Sequence, residues 1–247
     1  MKTVKHIKVF LQGFLLLNII WFIGSHVIDS KALPNPVDVY LSLNILVEKN
    51  IMQHILASTY RVGVGLCISL VIGVSIGLLM GSSKHWNRLL NPLLYFTYPI
   101  PKTALLPVVM ILCGLGDESK IMLIVLIVVF PVIVAVRDAV INIPKVAYSP
   151  LLSLGASRMQ LFLKVTLPAM LPDLLTNIRL SVGSALSVLF FAEAYGTRFG
   201  LGYFIQDSWS RIDYIGMYGG IIVLSLLGFI LFMFIDLLES ILCQWKG

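Results

Sequence analysis

The sequence predicts an all-α polytopic membrane protein with a single domain over residues 1–247, and three observations carry that expectation. Only 12% of the residues are charged, against about a quarter in soluble domains, and 58% are hydrophobic. The apolar residues gather into runs long enough to cross a bilayer. The basic residues sit in short segments between those runs rather than in one dense patch, which is the pattern of membrane topology and a poor one for binding nucleic acid.

Six spans are expected. The first covers about Val9–Ile28, behind a basic start of Lys2, Lys5 and Lys8. Gly24-Ser25-His26 is a weak cleavage site and the run is long enough to span, so it reads as an uncleaved helix that also serves as the insertion signal. The connection from Asp29 to about Asn50 is stiffened by Pro34 and Pro36, with Val37–Lys49 as a short interfacial helix. The second span is about Ile55–Met80, with Arg61 near its outer end. Gly73 and Gly77 are four residues apart, a small-xxx-small pair that admits a close neighbour.

A basic turn, Gly81–Arg88, leads to apolar sequence from Leu89 to Gly116 that is interrupted by Pro92, Pro99, Pro101 and Pro107. Each proline removes a donor and crowds the preceding turn, so this third element is expected to be broken. Its interfacial portion lies near Asn91–Tyr98 and the span continues to about Cys113. Backbone freed at such a break must be satisfied by protein or by a water-lined cavity. The fourth span, about Ile121–Val136, is expected to kink at Pro131. A long polar region follows, Arg137–Pro172, then a fifth span at about Leu174–Tyr195, a Gly- and aromatic-rich connection Gly196–Tyr214, and a sixth span at about Ile215–Leu238.

Lys and Arg residues in the connections orient the bundle. With the N-terminus in the cytoplasm, ten lie inside (Lys2, Lys5, Lys8, Lys84, Arg88, Arg137, Lys145, Arg158, Lys164, Lys246) and five outside (Lys31, Lys49, Lys120, Arg198, Arg211). The bias places both termini and the Arg137–Pro172 region in the cytoplasm.

Within that region, Tyr148–Lys164 reads as two short helical pieces around Gly155. Pro150 suits a first turn behind a Ser149 cap, Gly155-Ala156-Ser157 is a permissive bend, and Ser157 caps the next piece. Met159, Phe162 and Leu163 form an apolar stripe, with Arg158 and Lys164 facing polar surroundings. Two uses stay open: an interfacial helix, or a plug for a cleft on a soluble partner. Lys102, among the prolines, either attracts an anionic solute at depth or snorkels to the inner interface. Glu193 either lines the outer opening or seals it against Arg198 or Arg61. Arg179 anchors the inner end of its helix. Tyr195, Phe199, Tyr203, Phe204, Trp209 and Tyr214 read as an interface belt. Cys67, Cys113 and Cys243 read as buried apolar side chains, and His6, His26, His54 and His85 make no metal set.

The stretch GASRMQLFLKVTLPAMLPDLLTNIR resembles the cytoplasmic signature loop of permease subunits in bacterial and archaeal ABC importers. The family's glycine, apolar position and proline match Gly155, Val165 and Pro168. GLGYFI at Gly200–Ile205, the proline-rich Tyr98–Pro107 and the Ile121–Arg137 span further resemble the nitrate/sulfonate/taurine branch, and the likeness runs from about residue 55 to 243. The family's E-A-A triplet is replaced by Ser149-Pro150-Leu151, so the glutamate's contact is missing or replaced.

The resemblance implies a type I (MetI-like) permease bundle. It also implies a homodimeric pathway, a pair of cytoplasmic ATPase subunits that bind ATP and Mg, and an extracytoplasmic solute-binding protein. The docking role falls on residues 137–172, with Pro150, Leu151, Gly155, Ala156, Ser157, Arg158, Phe162 and Pro168 as its core. Lys102, Glu193 and Arg61 are the candidate pathway or gate residues. No GxxxxGK[ST] loop is present, so this chain is expected to hold no ATPase site, no cofactor and no metal. A stand-alone secondary transporter is the alternative. It requires ionisable residues at the midplane, where only Lys102 is a candidate.

Overall fold

The computed structural model describes residues 2–246, with side chains from residue 12 to 245. It contains helices and no strand among the described residues. In order they are α1 (Lys2–Ile28), α2 (Pro36–Leu41), α3 (Leu43–Glu48), α4 (Ile51–Ser82), α5 (Lys84–Thr97), α6 (Leu106–Cys113), α7 (Asp117–Ile141), α8 (Ser149–Ser153), α9 (Arg158–Leu161), α10 (Leu167–Glu193), α11 (Leu201–Ser210) and α12 (Tyr214–Leu242). A π-turn, Phe162–Thr166, joins α9 to α10, so that Arg158–Glu193 is one helix of 36 residues. The basic side chains Lys2, Lys5 and Lys8 lie outside the described ones.

The core is built on α7. Along α4, Gly65, Ser69, Gly73, Gly77 and Gly81 recur every four residues. Against them stand the β-branched residues Ile124, Val132, Val136 and Val140 of α7. A Cβ on Gly73 would sit 2.6 Å from Val132, and one on Gly77 2.7 Å from Val136 and 2.9 Å from the Ile133 carbonyl. The stripe therefore extends well beyond the Gly73–Gly77 pair. In a bilayer, where lipid tails are as apolar as leucine, such close backbone approach supplies the packing that holds helices together.

The paired positions advance together, Gly65 with Ile124 and Gly81 with Val140, so α4 and α7 run parallel. The chain between them must then return across the full thickness, which makes α5, the break and α6 one crossing. α5 and the 102–113 segment meet at 81°. Four uninterrupted helices have the length and apolarity of a span, and this bent pair makes a fifth. The described apolar part of α1, Gln12–Ile28, is shorter, so the described residues supply five of the six spans expected from the sequence.

Several boundaries differ from expectation, each for a local reason. The turn before α5 shrinks to Ser83, because helix continues through Gly81 and resumes at Lys84. The expected interfacial helix is two short ones broken at Ser42, whose hydroxyl bonds back to the Asp38 carbonyl. α7 runs through Pro131 as a single helix. The fifth span does not begin after Pro172. The wide π-turn precedes Pro168, relieving the carbonyl crowding a proline ring brings, and Pro172 sits buried inside α10. Gly196–Tyr214 is not a simple connection but contains α11, whose Leu201, Phe204 and Ile205 are buried. Cys67 is exposed rather than buried.

At one end of the bundle, α1 is fastened by Trp21, which stacks on Tyr218 of α12 and donates to the Pro34 carbonyl. Lys49 pairs with Asp213 at 2.6 Å. Burial works against the Asp213 carboxylate's charge, but Lys49 and the Gly216 amide outweigh it and hold that carboxyl below its ordinary range. At the other end, Arg179 on α10 pairs with Asp236 and Glu239 on α12.

The glycine stripe gives a direct test. Gly77→Ala will lower the thermal midpoint in detergent, at a cost of about 1–3 kcal/mol for overpacking. Gly63→Ala, on the same helix with no heavy atom within 4 Å of the new methyl, will be neutral or stabilising. Equal effects at the two positions would refute the packing account.

Candidate functional site

The signature loop forms a rigid elbow. Pro150 stands in the first turn of α8, as expected, but Ser149 is already helical and does not cap; the cap position is Tyr148, without a side-chain bond. α8 ends in a Schellman motif: the Gly155 amide donates to Leu152 and the Ala156 amide to Leu151, both at 3.0 Å. Gly155 has φ +74°, the left-handed conformation that disfavours a side chain even though the space around it is open. Ser157 then starts α9 with a capping box. Its hydroxyl accepts from the Gln160 amide, and the Gln160 side chain accepts from the Ser157 amide at 2.7 Å. Tyr148 and Thr166 share a hydroxyl bond of 3.1 Å that closes the elbow.

No residue from 141 to 165 is buried. Val146, Leu152, Leu154, Met159 and Leu163 stand exposed, Leu154 at 81%, beside exposed Arg158 and Lys164. Phe162, expected on the same stripe, is half-buried, as are Leu151, Ala156 and Pro168. A fixed, protruding apolar surface with a basic rim is the form of an interaction site rather than of a slack linker.

The break between α5 and α6 is capped from within. Lys102 Nζ donates to the carbonyls of Thr97 at 2.8 Å, which also takes the Ile100 amide, and of Tyr98 at 2.5 Å, both at the end of α5. The ammonium also lies 5.3 Å from the Phe130 ring centroid, near the midpoint of α7. Around it Tyr98, Ile100, Pro101, Thr103 and Ala104 are exposed.

Glu193 and Arg61 meet in a buried polar knot at the end opposite the elbow. All five guanidinium N–H donors are used. Nη1 bonds Glu193 at 2.6 Å and the Phe199 carbonyl at 2.8 Å, Nη2 bonds Asp117 at 2.7 Å and Thr197 at 3.1 Å, and Nε bonds Asp117 at 2.8 Å. Glu193, 1% exposed, also accepts from Ser58 and from the Gly202 amide at 2.9 Å. Ser58 in turn accepts from the Leu201 amide, and His54 Nδ1 lies 2.9 Å from the Gly200 carbonyl and 3.1 Å from the Gly200 amide.

The glycines of GLG now have a reason. A Cβ on Gly200, which has φ +141°, would lie 2.4 Å from the Glu193 carboxyl, and one on Gly202 would lie 2.5 Å from the Phe190 carbonyl. Of the partners open to Glu193 in the sequence, the structure selects Arg61; Arg198 is exposed. Lys120, counted among the outer connections, is instead fully buried in the first turn of α7, donating to the Leu115 carbonyl at 2.5 Å. Sequence reading missed Ser58, His54 and Asp117, which reach Arg61 or Glu193 and their loop only through the fold. Tyr203 and Phe204, two of the aromatics expected in an interface belt, both pack on His54.

Comparison with known proteins agrees with this architecture. Residues 69–242 match the family model described as binding-protein-dependent transport system inner membrane component. The chain is 32% identical to the formylaminopyrimidine transport permease protein ThiX of Halalkalibacterium halodurans, over 94% of each chain. It is 30% identical to the taurine transport system permease protein TauC of Escherichia coli K12, over 94% of this chain and 87% of that one. A structure of the inward-facing MetNI methionine ABC transporter shares the fold, with a TM-score of 0.64 at 20% identity over 78% of this chain and 95% of that one. The chain belongs to the binding-protein-dependent transport system inner membrane components, the permease subunits of ABC importers.

Proposed function

We propose that two copies of this chain enclose the solute pathway of an ATP-driven importer. Two cytoplasmic ATPase subunits, which bind the ATP and Mg, grip the elbow of residues 148–164. A solute-binding protein delivers cargo at the knot end, on the outer face, and both termini lie in the cytoplasm. The observation that carries this reading is the elbow itself: held by its own caps, without a fully buried residue, apolar at its tip and continuous with a spanning helix. The Arg158–Glu193 helix is about 54 Å long at the usual rise. A push on the elbow is therefore delivered along one stiff rod to Glu193 in the knot, and alternating access follows if the knot is made in one packing and released in the other.

Lys102 favours a pathway role over snorkelling. Its place beside Phe130, mid-way along α7, supports a position at depth rather than at an interface. Irregular, exposed backbone at that depth requires protein or water against it, which a second copy with a central aqueous route supplies. A cation there suits a small solute that is anionic or carries an acidic group. The taurine and formylaminopyrimidine relatives frame that class as small organic solutes, and of the two taurine, which carries a sulfonate, is the better match to Lys102.

Two tests separate these claims. Gly155→Asp will weaken co-purification with the ATPase while leaving membrane insertion intact, because it breaks the left-handed turn without altering any buried contact. Unchanged association and uptake would overturn the docking role. Lys102→Cys, in a chain with Cys67, Cys113 and Cys243 replaced by Ser, will react with a membrane-impermeant thiol reagent in the assembled complex, more so in the presence of ATP. Complete protection in every state would remove Lys102 from the pathway.

A further inference from the structure

At the end of α4, where the chain turns into α5, a second polar surface is left unexplained by transport. A cavity of about 470 Å³ is lined by Lys84, Asn87, Arg88, Asn91 and Pro92, all on one face of α5. Lys84 and Arg88 are exposed and make no ion pair or hydrogen bond among the described residues. Asn87 Oδ1 is out of solvent and has no donor. The neighbouring cation, Arg137, is already engaged by Asp138 and by Asn91, each at 2.8 Å. Next to this polar arc, Trp86, Leu89 and Leu93 form an exposed apolar arc at helical spacing, while Leu90 and Leu94 pack α5 onto α4 and α7.

We propose that this cavity binds the head group of an anionic, hydroxylated glycerophospholipid, of which phosphatidylglycerol is the simplest. Lys84 and Arg88 would meet the phosphate, a head-group hydroxyl would supply the donor that Asn87 Oδ1 lacks, and the acyl chains would lie along Trp86, Leu89 and Leu93. The site lies at a membrane face whichever way the bundle is oriented, because it occupies the turn between two crossings. Free phosphate would satisfy the two cations but leave both the amide and the apolar arc unmatched. A bound lipid matches all three, and basic pockets at helix ends are where such head groups are recognised.

The test uses the full-length chain reconstituted in discs of phosphatidylcholine with and without phosphatidylglycerol, followed by native mass spectrometry of retained lipid. Wild type will retain phosphatidylglycerol over phosphatidylcholine. Lys84→Gln and Arg88→Gln will each reduce that retention about fivefold. Asn87→Ala will reduce it for phosphatidylglycerol but not for phosphatidic acid, which lacks the extra hydroxyls. The variants will elute as wild type does on size exclusion, since both cations are exposed. Equal retention by all variants would overturn the proposal, and so would displacement of the lipid by soluble glycerol phosphate. A loss of self-association or ATPase association with lipid retention unchanged would assign the cavity to a protein contact instead and overturn it too.

Discussion

A buried guanidinium has few acceptable environments, and the one around Arg61 dictates much of this molecule. Taking an arginine out of water is costly unless every donor is matched and a counter-charge lies close. Meeting that condition recruits Glu193 from α10, Asp117 from α7, and Thr197 and Phe199 from the segment before α11. Glu193 then needs its own donors, which come from Ser58 and the Gly202 amide. The carboxylate can lie against that backbone only because positions 200 and 202 carry no side chain. One buried cation thus fixes the relative positions of three spans and of the helix that follows them.

The knot and the glycine stripe act on the same pair of helices. The stripe brings α4 and α7 to backbone contact along their length, and the knot pins them to α10 at one end. α10 carries the elbow at its other end, so both candidate sites belong to one rigid element. The broken span is the soft counterpart. Its carbonyls are capped by a lysine rather than by continued helix, and its outward face is left for another chain or for water. Removing one partner from a buried pair typically costs about 3–5 kcal/mol, which is large enough to bias two packings of a bundle and small enough for a motor to overcome.

The legible parts of the fold were those written locally. Apolar runs located the crossings, the prolines after Tyr98 located the break, and Gly155 with Ser157 located the elbow's two turns. The notion of a glycine contact was legible at Gly73–Gly77, though its full extent was hidden because Ser69 and Gly81 are not apolar-run signals. α11 was masked by glycines and aromatics that read as a connection; its burial against α12 overrides that composition. The continuity through Pro168 and Pro172 depended on a π-turn, which no residue type announces. Lys120 read as a surface charge because nothing local says that its ammonium turns back to the Leu115 carbonyl. The knot was least legible of all. Glu193 lies 132 residues from Arg61 and 135 from Ser58, so the sequence could offer Arg61 only as one of two partners.

Arg61 and Glu193 stabilise the bundle as a unit. A double-mutant cycle with Arg61→Met and Glu193→Gln, read as unfolding free energy in a lipid-detergent mixture, tests it most directly. Each single variant will be destabilised and the double variant will be no worse than the poorer single, a coupling of at least about 1.5 kcal/mol. Single effects that simply add, or that lie within error of wild type, would contradict it.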